Sequence, residues 1–170
     1  CIGESAFAVL LLLIGTSMLD GFYGSYYNLN QLVFDAFDAP VSIIGIFFGA
    51  SYAVNATAYI AADFFSSRFG KRNTMLGSML IEAGLFMILP WFASNPLCLF
   101  GLSMVLCFLP EVVYITSENL IQDAIADDLR ATILSVASLV RALFSAMFFS
   151  IFGYVLGLYP IQIALGVIGA

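Results

Sequence analysis

The chain has no histidine and very little charge: five Lys+Arg and eleven Asp+Glu, 9% of 170 residues. A soluble domain of this size carries about 25% charged residues and 45–50% apolar ones. Here the apolar share is 62%, and there is too little ionic surface for a water-facing exterior. That excludes an ordinary cytosolic enzyme, a disordered tail and a basic nucleic-acid binder. Cysteine is scarce as well. Cys1, Cys98 and Cys107 stand at irregular spacing, with neither a disulfide framework nor a CxxC pair. Without histidine they form no zinc, haem or iron–sulfur pattern, and no cofactor is expected. The chain opens at Cys1 without a methionine and stops within an apolar run at Ala170, so it reads as a piece of something longer.

What remains is long hydrophobic runs. A membrane-spanning helix needs about 20 largely apolar residues. Five stretches meet this, at about 7–34, 41–64, 74–92, 97–122 and 131–158, and a truncated sixth follows at 161–170. The expected architecture is an all-α membrane protein, a single antiparallel transmembrane helix bundle over 1–170, set in a lipid bilayer. The first run is no signal peptide: it lacks a basic leader, is too long, and carries Asp20 and several tyrosines. The connections are short, and four of the five cations sit in two of them: Arg68, Lys71 and Arg72 in the 65–73 loop, Arg130 in the 123–130 loop. The excess of positive charge on cytoplasmic loops places both loops, and the N-terminus, in the cytoplasm. Trp91 and Tyr159 fit an interfacial aromatic belt.

Ionised side chains inside a bilayer face protein or a watery cavity, and mark function. Asp20, Glu82, Glu111, Glu118 and Arg141 all fall within spans. Asp20, Tyr23, Tyr27 and Asn30 step by three or four residues and form one stripe. Ser103, Cys107, Glu111, Tyr114 and Glu118 form a second, with Pro110 predicting a kink beside Glu111. Ser51, Asn55 and Tyr59 form a third. Three polar stripes on apolar helices predict a shared hydrated cavity. With the fourth turn centred at Asp127, Glu111 and Arg141 lie within about 3 Å of the same depth, which predicts an Arg141–Glu111 pair, with Glu118 second. Glu82 falls opposite Ala56, with Asn55 and Tyr59 as candidate partners. Gly45-x-x-x-Gly49 and Gly153-x-x-x-Gly157 are spacings that permit close helix contact.

The second connection, Arg68-Phe69-Gly70-Lys71-Arg72, resembles the signature loop of the major facilitator superfamily, G-x-x-x-D-R-x-G-R-K. It departs at Ser67, where aspartate is expected, and at Asp63, where glycine is expected. Asp63 lies one helical turn before Ser67 and is the candidate for the missing carboxylate. Arg130-Ala131-Thr132-Ile133-Leu134-Ser135 is similar to the run that opens the eleventh helix of such transporters. The resemblance therefore implies the C-terminal six-helix half, helices seven to twelve with the last truncated, and a missing N-terminal half as partner. It also implies that the first and fourth helices line the central cavity, while the third, which carries Glu82, faces lipid.

The leading expectation is a secondary active transporter that moves a small solute by alternating access, with proton coupling. Asp20, Glu111 and Glu118 are the proton-coupling candidates, Asp20 first because no basic residue shares its depth. Tyr23, Tyr27, Asn30, Asn55, Tyr114 and Arg141 are the candidate cavity contacts. Asp63, Arg68, Gly70, Lys71 and Arg72 form the signature loop. An intramembrane enzyme is not expected, because no nucleophile stands beside a base. The alternative is a non-transporting membrane scaffold or receptor-like bundle.

Overall fold

The computed structural model describes residues 2–36, 39–92, 95–125, 129–160 and 163. Five helices account for nearly all of them: α1 (Ile2–Ala36), α2 (Val41–Phe69), α3 (Lys71–Phe92), α4 (Pro96–Ala124) and α5 (Arg130–Leu158). All five are long and apolar enough to cross a membrane. Even the shortest, the 22 residues of α3, extends about 33 Å at 1.5 Å per residue, enough for a hydrocarbon core of about 30 Å. No strand occurs among the described residues. The fourth turn at Asp127 and nearly all of the segment at 161–170 lie outside the described residues.

The helix ends follow local chemistry. Asn95 caps α4, its side-chain oxygen accepting from the backbone N–H of Leu97 (3.0 Å) and Cys98 (3.3 Å), with Pro96 in the first turn. Pro40 precedes α2. The expected loop at 65–73 shrinks to one residue. Gly70, at φ 84°, ends α2 by donating its N–H to the Ser66 carbonyl (3.0 Å), and its own carbonyl accepts from Thr74 at the start of α3. Only glycine takes that backbone region without strain, so α2 passes into α3 with no intervening coil.

Packing does not follow chain order. α4 is the central helix, against α3, α2 and α1, whereas α5 packs chiefly on α1 and meets its chain neighbour α4 only through a few side chains. The α1–α5 seam is set by one glycine. A Cβ on Gly21 would stand 2.7 Å from the Phe144 Cβ and 2.8 Å from the Ser145 backbone nitrogen. Four residues on, the Ser25 hydroxyl reaches the Ser145 carbonyl at 3.0 Å. The anticipated small-residue seams are not made: beta-carbons at Gly45, Gly49, Gly153 and Gly157 would meet nothing within 4 Å. Those glycines lie on helix faces that nothing among the described residues covers.

The largest apolar cluster joins all five helices through Val33, Phe34, Phe47, Phe86, Leu106 and Phe152. Phe22 stands edge-on to Phe86 and Phe152, both at 5.0 Å, a geometry that adds to simple burial. A smaller cluster of Leu13, Ile121 and Ala137 joins α1, α4 and α5. Outward faces carry bare apolar side chains such as Ile60, Leu80, Trp91 and Leu143, a surface that hydrocarbon solvates and water does not.

Candidate functional site

The polar stripes meet where α1, α2, α4 and α5 face one another. Arg141 on α5 places Nε 3.2 Å from an Asp20 carboxylate oxygen and a terminal guanidinium nitrogen 3.6 Å from Glu118. Its guanidinium carbon lies 4.5 Å from the centre of the Tyr114 ring, within cation–π range. One cation thus ties α1 to α4 through two carboxylates and an aromatic face. This corrects the expected Arg141–Glu111 pair. Of the two partners expected on α4, Arg141 reaches Glu118, the second named, and not Glu111; α5 packs chiefly on α1, which draws the guanidinium toward Asp20. It also corrects the ground for ranking Asp20 first, since Asp20 has a basic partner after all.

Glu111 meets Asn55 of α2, whose amide nitrogen lies 3.4 Å from a carboxylate oxygen. Turned over, the same amide donates to the carbonyls of Cys107 (3.1 Å) and Ser51 (3.2 Å). Tyr27 and Ser51 share a hydroxyl–hydroxyl bond of 2.9 Å, so α1 and α2 also join through their stripes. Tyr26, one residue off the stripe, bonds Ser103 of α4 at 3.3 Å. Tyr23 is buried beside Cys107.

The stripes do not share one large water-filled space. Asn30 is 0% exposed, and both of its side-chain polar atoms lack a partner. The second and third stripes line a groove of about 450 Å³ between α2 and α4, through Tyr114, Glu118 and Tyr59 with Asp63 and Asn119, and no residue of the first stripe lines it. Tyr59 and Asp63 are exposed on its rim. Asn55, Tyr114, Glu111, Glu118 and Arg141 are half-buried.

In the basic loop, Lys71 forms an ion pair with Asp123 at the end of α4. Asp63 faces the groove instead and makes no ion pair among the described residues. The carboxylate that meets the loop therefore comes from α4, 60 residues further along the chain. Arg68 closes the last turn of α2, Gly70 is the break, and Arg72 lies exposed in the first turn of α3.

Glu82 is 4% exposed and forms no hydrogen bond or ion pair among the described residues. The expected contacts with Asn55 and Tyr59 are not made. Sequence reasoning also passed over Thr16 and Ser117, which line a small void with Asp20, Glu82, Tyr114 and Arg141. Thr16 precedes Asp20 by one helical turn, so extending the first stripe backwards finds it. Among the described residues no group of His, Cys, Asp or Glu is placed to hold a metal ion.

Fold and site together define a helical protein whose five apolar helices suit a multi-pass position in a membrane, with a charged and aromatic interior. No family model, curated protein or solved structure matches the chain.

Proposed function

We propose that this chain is one half of a major-facilitator-type secondary transporter, an antiparallel bundle that moves a small solute by alternating access. The observation that carries the reading is the junction of α1, α2, α4 and α5 through side chains that are expensive to place in a membrane. Arg141 bridges Asp20 and Glu118, Asn55 meets Glu111, and Tyr27 meets Ser51. Charged groups inside a membrane mark function by default. A transporter uses such groups at a midplane site that opens to each side in turn. The groove beside Tyr114 and Glu118 supplies part of the site, and the complementary half supplies the rest. The basic loop, held to α4 by Lys71 and Asp123, braces the cytoplasmic end.

Thiol accessibility tests the alternation. Tyr27→Cys and Asn55→Cys are introduced separately into the complete protein, in a background with Cys1, Cys98 and Cys107 replaced by alanine. A membrane-impermeant maleimide is then applied to each face of oriented vesicles. Alternating access predicts reaction from both faces; reaction from one face alone, or from neither, supports the scaffold and ends the transport reading.

A further inference from the structure

The void between α1, α3, α4 and α5 measures about 10 Å³, at the limit of what holds a single water. Its polar lining comes from four helices: Thr16 and Asp20 on α1, Glu82 on α3, Tyr114 and Ser117 on α4, and Arg141 on α5. Charge is unevenly matched there. Arg141 is engaged by Asp20 and Glu118. Glu82, buried to the same region, has no counter-charge, and α2 contributes no titratable side chain to the void. On its other side Glu82 borders an apolar groove of about 280 Å³ whose walls include Leu19, Phe22, Phe86 and Met87, so no ionic partner stands there either.

An ionised carboxylate needs a counter-charge or several donors, and its isolation in a low-dielectric interior is very costly. A neutral carboxylic acid needs far less: one acceptor for its O–H. A single water in the void, shared with Asp20, supplies that acceptor. We infer that Glu82 is the proton-binding carboxyl of this bundle, joined through one water to the Asp20–Arg141 pair. The inference deepens the transport reading by naming the residue that holds the coupling proton, and it moves that role from Asp20 to a helix expected to face lipid. Loss of the proton leaves a carboxylate that competes with Asp20 for Arg141. Because Asp20 adjoins Gly21 at the tightest point of the α1–α5 seam, that competition loosens the seam.

Infrared spectroscopy of the complete protein in lipid reads the proton directly and needs no solute. Near neutral pH the wild type is expected to show the carbonyl stretch of a buried carboxylic acid, shifted in heavy water. Glu82→Gln should abolish it and Asp20→Asn should retain it. Absence of the band in the wild type, or its persistence in Glu82→Gln, overturns the inference. If Glu82→Gln does not accumulate, Glu82→Asp is made with ¹³C-glutamate. The isotope-shifted band should then vanish and an unshifted one appear; survival of the shifted band overturns the inference equally. Thiol reaction from one face alone would end the transport reading and leave this band in place. A band independent of Glu82 would end the present inference and leave transport untouched.

Discussion

Arg141 is the residue on which the buried charges depend. Its side chain is 18% exposed and serves Asp20 and Glu118 at once. Removing a buried partner strands the opposite charge, at a cost of about 3–5 kcal/mol. Arg141→Gln strands two carboxylates, whereas Asp20→Asn leaves the guanidinium its contacts with Glu118 and Tyr114. Arg141→Gln is therefore expected to lower the thermal midpoint in detergent clearly more than Asp20→Asn. The double variant should recover part of the loss, and equal effects of the two single changes would refute the shared-cation arrangement. At this scale the sequence was half legible. Helical spacing identified Asp20, Glu118 and Tyr114 as inward-facing groups, since 3.6-residue periodicity is local, and Arg141 was marked by its charge within a span. The sequence named Glu118 only as the second partner of Arg141 and missed Asp20, because that contact depends on which helices touch.

Among the elements, α1 and α5 make the closest approach, and Gly21 permits it. A methyl group there would press on Phe144 and on the Ser145 backbone, which cannot step aside as a flexible side chain does. Gly24, where a Cβ would lie 4.0 Å from the Ser145 hydroxyl, has room. Gly21→Ala is expected to destabilise by roughly 1–3 kcal/mol, as overpacking does, and Gly24→Ala by far less. Thermal unfolding of the two variants side by side checks this, and Gly21→Ala should also weaken the neighbouring Asp20–Arg141 contact. Gly21 and Gly24 stand beside the Asp20, Tyr23 and Tyr27 stripe in the sequence, a position that does not reveal their partner. The sequence also singled out Gly45, Gly49, Gly153 and Gly157 as seams, yet nothing among the described residues approaches them. Small-residue spacing licenses close contact and does not choose a neighbour.

For the whole molecule, the distribution of cations predicts an orientation. Arg68, Lys71, Arg72 and Arg130 should lie in the cytoplasm. In the complete protein with every cysteine replaced by alanine, Arg68→Cys is expected to react with an impermeant maleimide only from the cytoplasmic face, and Tyr159→Cys only from the opposite one. The reverse pattern would invert the topology. Five apolar runs were enough to determine five long helices and their ends to within several residues, because hydrocarbon leaves a backbone little choice but to satisfy its own hydrogen bonds within each segment. Which helices pack together was decided only in three dimensions. The docking of α5 on α1 gave Arg141 to Asp20, left Glu111 to Asn55 and left Glu82 without a counter-charge. Between helices inside a membrane, hydrophobicity does not discriminate one neighbour from another. Close packing at single residues such as Gly21, and the pairing of a few charges, make that choice, and neither is written in a local pattern.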